Sequence, residues 1–207
     1  MFSLAMSRVR TMGSAFAESC LPGMGPRQLD RLFFSVFPDP PAAVRIANTA
    51  QYFRRAYGLK GNPLLTARFH VTVHGIGIYD GLPRSIVDKA MEAGAAVTAT
   101  SFDVAFDRIK SFSNSHALVL CGGDGVDGMM MFHQSLGMAM RKSGLCVRSD
   151  FTPHITLLYD GGRLDEQTIN PIRWTVREFV LVHSLTGSTK HVACGRWQLQ
   201  TSTRDTL

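Results

Sequence analysis

A chain of 207 residues, 45% hydrophobic and 18% charged, has enough apolar material for one good core or two small lobes, which excludes a disordered chain. Its net charge of +6 is spread along the sequence, a balance that suits a phosphate-bearing partner without identifying one. No apolar run approaches the roughly 18 residues of a membrane span, and the four cysteines form no C-x-x-C pair, so no spanning helix, disulfide framework or structural zinc is expected.

Residues 1–26 are basic at their start and lack the long apolar stretch of a secretory signal. They read as a disordered extension, followed by one domain over 27–200 and a tail over 201–207. "RLFFSVF" has strand composition and stops at "PDPP", where Asp39 can cap a helix whose first turn tolerates the prolines. Ile46, Ala50, Phe53 and Tyr57 recur at helical spacing, and Gly58 is placed as terminator. "RFHVTVHGIGIY" is β-branched and alternating, so it reads as a strand. A second helix is expected over Pro83 to Val97, then two strands, "FDVAFDRIKSF" and "HALVLCG", joined by the polar turn "SNS".

"GGDGVDG" lacks the G-K-[ST] ending of a phosphate loop and reads as a turn. The helix after it carries Met129, Phe132, Leu136 and Met140 on one face, with Arg141 and Lys142 near its end and Gly144 beyond. Next come "HITLLY" and two long strands, "IRWTVREFVLVHSL" and "KHVACGRWQLQ". Cys121 and Cys146 read as small core residues. The expected order is β-α-β-α-β-β-α-β-β-β. Several neighbouring strands are joined by turns too short for a parallel crossover, so an α+β protein with mainly antiparallel sheets follows.

The strand reading decides what His70 and His74 can do. In a helix they would share one face and could share a metal; in a strand they are about 13 Å apart, too far for one ion. No metal site is expected. Residues two apart in a strand do face the same side, so His70 and Thr72 can converge on one small group. The same step recurs farther along as His154 and Thr156, again with apolar residues at the alternate positions. His74, His116, His133, His183 and His191 read as structural residues. Two histidines and two hydroxyls suit in-line displacement at phosphorus. One imidazole activates water, the other protonates the leaving oxygen, and the threonines hold the non-bridging oxygens.

The paired motifs "HVTV" and "HITL", with "RLFFSVFPDPPAAVRIA", "FTPHITLLYD" and "WTVREFVLVHSL", resemble the 2H phosphoesterases, more narrowly the 2'-5' RNA ligase / RNA 2',3'-cyclic phosphodiesterase family. The resemblance covers about Arg27 to Leu199. It implies a bilobal fold: two mainly antiparallel sheets facing a central cleft, helices outside, and pseudo-two-fold internal symmetry. It implies His70 and His154 as catalytic residues, His70 as the acid and His154 as the base, and Thr72 and Thr156 as phosphate-binding residues. Some relatives have a basic residue shortly after the second motif, where this chain has Tyr159. Arg68, Lys110 and Arg148 are candidates to meet phosphate charge in its place.

The implied activity is metal-independent and cofactor-free opening of RNA 2',3'-cyclic phosphate ends to 2'-phosphomonoesters, with 2'-5' RNA ligase activity as related chemistry. Phe33 and Phe34 face opposite sides of the first strand; Phe34 is the residue expected to stack on the terminal base. The expected partners are RNA ends or small cyclic nucleotides, and the expected state is a cytoplasmic monomer without membrane contact. Two rivals remain: hydrolysis of another small cyclic nucleotide or nucleotide-derived phosphoester, and a non-catalytic module that binds RNA ends. Turnover of a panel of cyclic phosphates in EDTA discriminates among the three.

Overall fold

Alternation along the first strand lays out the whole molecule. In β1 (Asp30–Val36), Leu32, Phe34 and Val36 enter the main core, while Phe33 joins Val180, Val182 and Phe37 in a small separate cluster on the opposite face. The structure, a computed structural model, describes residues 29–185 and 191–201. The expected extension over 1–26 lies outside the described residues, as does the tail beyond residue 201.

Helix α1 (Pro40–Ala56) begins where expected: the Asp39 carboxylate accepts from the Ala42 N–H at 2.8 Å, and prolines occupy the first turn, where no N–H is needed. Ile46, Ala50 and Phe53 are buried, Tyr57 caps the end half-exposed, and Gly58 follows with the positive φ that ends a helix without strain. A single 3₁₀ turn, Thr66–Arg68, leads into β2 (Val71–Tyr79). Then come α2 (Arg84–Ala95), the hairpin β3 (Phe102–Phe112) and β4 (Ala117–Cys121), α3 (Asp127–Lys142) and β5 (His154–Tyr159). "GGDGVDG" is a turn that tightens into one 3₁₀ turn at Asp124–Val126 before α3, as its composition suggested. The methionine face of α3 is core, with Met129, Leu136 and Met140 fully buried.

The last third departs from the sequence reading. "IRWTVREFVLVHSL" is two strands, β6 (Gln167–Val176) and β7 (Glu178–Leu185), separated by Arg177 alone. With β8 (His191–Gln198) the strands among the described residues number eight rather than seven. Continuous β-branched composition hid the break, because nothing in it resembles a turn.

All eight strands form one sheet in the order β6-β3-β4-β5-β2-β1-β7-β8, and every pairing between them is antiparallel. It is two four-stranded halves in contact. β2-β1-β7-β8 and β5-β4-β3-β6 meet through one registered pair among the described residues, Val71 with Ile155. Exchanging β2 with β5 and β1 with β4 maps one half onto the other, which is the internal symmetry the repeated motif implies. A second seam forms at the far end: Leu199 N–H donates to Arg177 O at 2.8 Å, and Thr100 bridges Gln200.

The helices cover the main-core face. Helix α1 packs on β5 and β6, and α2 on α3, β7 and β8. The other face carries two small apolar clusters, Phe33–Val180–Val182 in one half and Ala117–Val119–Cys121 in the other. Among the described residues no helix is long and apolar enough to cross a membrane.

Candidate active site

Val71 and Ile155 are completely buried and antiparallel partners. Strand alternation therefore turns the residues flanking each of them to the opposite face. His70 and Thr72 flank Val71; His154 and Thr156 flank Ile155. All four are half-buried, and antiparallel direction sets each histidine toward the other motif's threonine.

Both strands are then bent at equivalent places. On β2, Ser35 pairs with Thr72 and Phe34 with His74, leaving Val73 as an extra residue. On β5, Val119 pairs with Thr156 and Leu118 with Leu158, leaving Leu157 extra. Each bulge follows its threonine and re-aims what comes next. Thus His74, expected by simple alternation to share a face with His70, is turned into the helix side. There its Nε2 lies 2.8 Å from His133 O, and its ring stacks on His133 at 3.9 Å. Gly137 of α3 permits this approach, since a Cβ there would sit 3.2 Å from His74 Nε2.

The two motif histidines are held identically. His70 Nδ1 lies 2.7 Å from Arg68 O, and His154 Nδ1 lies 2.8 Å from Thr152 O, each carbonyl two residues back. A carbonyl only accepts, so each Nδ1 carries a proton and donates it. Each Nε2 is thereby the ring nitrogen left for proton transfer. Burial, opposed in part by the bond to Arg68 O, pushes the His70 imidazole down to about 4; the charges of His191, Arg68 and His154 push the same way.

Aromatic rings brace both histidines. Phe33 stacks on His70 at 5.3 Å and Phe37 lies at 6.0 Å, while Phe112 meets His154 edge-on at 4.9 Å. This corrects the expectation for Phe34, which is fully buried in the main core against Phe179 and Trp197. Phe33 is the cleft-side ring. Opposite facing was readable from the sequence; which ring faced the cleft was not.

One further expectation fails, and one long-range contact was not expected. His191, read as structural, approaches His70 edge-on at 5.3 Å, a long-range contact with no local sequence signal. Cys146 is exposed rather than core. Cys121 is buried, sits opposite His154 in the β4–β5 register, and has its thiol pushed up to about 11, chiefly by burial.

Tyr159 is mostly exposed. Of the three cations considered in its place, Lys110 is 2.8 Å from Glu166, and Arg148 is largely in solvent, 3.8 Å from Asp150. Arg68 differs: its Nε is buried with no hydrogen-bond partner among the described residues. A groove of about 570 Å³ between α1 and β6 contains none of the motif residues. A smaller cavity of about 270 Å³ is lined by Phe37, Val182, His191 and Arg196 among others, and two of these, Phe37 and His191, touch the His70 ring. Among the described residues no group of three or more His, Cys, Asp or Glu could hold a metal ion.

The model of the 2'-5' RNA ligase superfamily matches residues 38–188, a span that includes both histidine motifs. No curated protein matches the chain. Among solved structures, Escherichia coli LigT complexed with 3'-AMP is 22% identical, with a TM-score of 0.64, covering 83% of this chain and 98% of that one. The Thermus thermophilus protein TT0787 is 18% identical with a TM-score of 0.65, covering 83% and 99%. A further phosphoesterase is 24% identical with a TM-score of 0.63, covering 83% and 98%. At these identities the likeness speaks for the fold, and it is a likeness over nearly the whole of each neighbour.

Proposed function

Since the chain belongs to the 2'-5' RNA ligase superfamily, we propose that it is a metal-independent phosphodiesterase that opens 2',3'-cyclic phosphate ends of RNA to 2'-phosphomonoesters. The observation that carries this reading is the duplicated histidine geometry. Two imidazoles each have Nδ1 tied to a backbone carbonyl, which leaves both Nε2 atoms for proton transfer, and the antiparallel Val71–Ile155 pair sets the two motifs side by side. That is what in-line displacement needs on its two sides.

The cyclic phosphate lies between the rings. His154 Nε2 takes a proton from water, the water oxygen bonds to phosphorus, and the bond from phosphorus to the 3'-oxygen breaks. His70 Nε2–H gives its proton to the departing 3'-oxygen. Water's remaining O–H stays on phosphorus, so the product is a 2'-phosphomonoester with a free 3'-hydroxyl. Thr72 and Thr156 donate to the non-bridging oxygens, where hydrogen bonds to charge are the strong ones.

His70 is held neutral in the free protein by burial and cationic neighbours. The bound phosphate is an anion and opposes that shift, so His70 acquires its proton together with the substrate. A neighbour's complex with 3'-AMP, a nucleoside monophosphate, is of the same ligand class. Joining RNA ends through a 2'-5' linkage belongs to the same phosphoryl-transfer chemistry at this cleft.

The test is incubation of purified protein with a panel of nucleoside and oligonucleotide 2',3'-cyclic phosphates, with and without EDTA, and identification of the products. Turnover to 2'-phosphates that survives EDTA supports the reading. 3'-Phosphate products, or binding without turnover, rejects it.

A further inference from the structure

Beside His70 there is a second polar site that the proposed reaction does not use. Arg68 Nε and His191 Nδ1 are both buried and have no hydrogen-bond partner among the described residues. A buried, unpaired polar nitrogen is costly, and two of them bracketing one imidazole point to a ligand group that both would bond. The His70 and His191 rings meet edge-on at 5.3 Å, and the charge of Arg68 lowers both imidazoles, so the three groups are neighbours. Arg31 adds to that lowering at His191. Three other cations are paired in place: Arg108 and Lys110 with Glu166, Arg196 with Glu178. Arg68 Nε–H only donates, and His191 donates from Nδ1 in the tautomer that carries its proton there, so an anion fits the pair.

Strand order says which anion. His154 lies on β5, across the central seam from His70 at the start of β2, whereas His191 opens β8 at the opposite flank of the half-sheet. An anion held by Arg68 and His191 is therefore separate from a phosphate between His70 and His154. The cavity lined by Phe37, Val182 and His191 leaves room on this flank for the rest of a nucleotide.

We propose that Arg68 and His191 form a second anion subsite that takes the 5'-phosphate of the nucleoside whose cyclic phosphate lies between His70 and His154; this rests on the function proposed above. Successive phosphates in RNA are separated by one ribose, and the subsite stands one ring away from the reacting position. The preferred substrate is then a 5'-phosphorylated nucleoside end, as in an oligonucleotide, rather than a bare nucleoside cyclic phosphate.

Calorimetric titration with adenosine 2'-monophosphate and adenosine 2',5'-bisphosphate tests this without turnover. Wild type should bind the bisphosphate about tenfold or more tightly than the monophosphate. In Arg68→Gln, and separately in His191→Phe, that ratio should fall to within about threefold. The monophosphate titration also reports whether each variant retains a folded cleft. A wild-type ratio near one, or variants that keep the wild-type ratio, overturns the subsite while leaving the cyclic phosphodiesterase reading standing. Failure of wild type to bind either ligand overturns both.

Discussion

Val71 and Ile155 are antiparallel partners, and each directly follows a motif histidine. The contact that joins the two halves of the sheet is thus the contact that aligns the two halves of the site. Stability and chemistry depend on the same pair.

Ile155→Ala should consequently cost about 2–5 kcal/mol of folding stability, the usual loss on truncating a fully buried aliphatic side chain. Ile155→Val should cost about 0.5–1.5 kcal/mol. Urea denaturation measures both. A loss below about 0.5 kcal/mol for the alanine variant would show that the seam contributes little to folding.

Thr72→Val and Thr156→Val should each reduce kcat/KM by an amount equivalent to about 1.5–3 kcal/mol, the range for hydrogen bonds to charged groups. Valine suits a strand, so thermal melting should change little. Steady-state kinetics beside melting curves separate the two effects, and unchanged kinetics in both variants would make the threonines structural.

Protonation of His70 should accompany binding of a phosphate ligand. Its imidazole titrates at about 4 in the free protein, and a bound anion raises that value. Between the two values the complex holds a proton that the free protein lacks, so affinity falls as pH rises through that window. Calorimetry in buffers of different ionisation enthalpy counts the protons; zero uptake at about pH 6, near the ordinary histidine value, would remove His70 from the acid role.

A cyclic phosphate diester with a much better 3' leaving group needs little protonation, so it should rescue His70→Ala far more than His154→Ala. Rescue of His154→Ala instead exchanges the two roles.

Acid should weaken the fold through histidines outside the chemistry. His74 and His133 are stacked, and burial lowers both, His133 to about 4, with the nearby Arg141 charge adding to the effect at each ring. In the unfolded chain both titrate near the ordinary value of about 6.5, so below that pH the unfolded chain binds more protons than the folded one. Stability is full above about 6.5 and is lost progressively as pH falls toward about 4. His70 and His191 add in the same direction. His133→Phe preserves the stack with Phe151 at 4.3 Å and should flatten this acid limb in denaturation experiments across pH.

The motif carried most of the legible site. His-x-Thr-x in a strand puts a base and a hydroxyl on one side whatever the rest of the fold does, and its repetition named four residues. Local pattern also placed α1, through Asp39 and its prolines, and the core face of α3. What local pattern lacks is parity and distance. Phe33 and Phe34 have the same composition, and only pairing across β1, β2 and β7 decides which faces the cleft. His191 meets His70 from the far end of the chain. The bulges at Val73 and Leu157 leave no mark in composition, because a bulge needs one extra residue rather than a special one. Arg177 separates β6 from β7 without glycine or proline, since the two strands part company by entering different halves.

That parting at Arg177 has a kinetic consequence. The β3–β6 half is drawn from one continuous stretch, 102–176, whereas the other half combines β1 and β2 with β7 and β8 from the opposite end of the domain. β1 and β2 can pair with each other locally, as can β7 and β8, but the β1–β7 pairing that joins them needs loop closure across the whole intervening half, an entropic cost that local pairing in β3 and β4 does not carry. During synthesis the histidine of the second motif therefore has its half of the sheet in hand first. β1 waits with one edge open until β7 has left the ribosome, so the half of the sheet that carries the first motif is completed last.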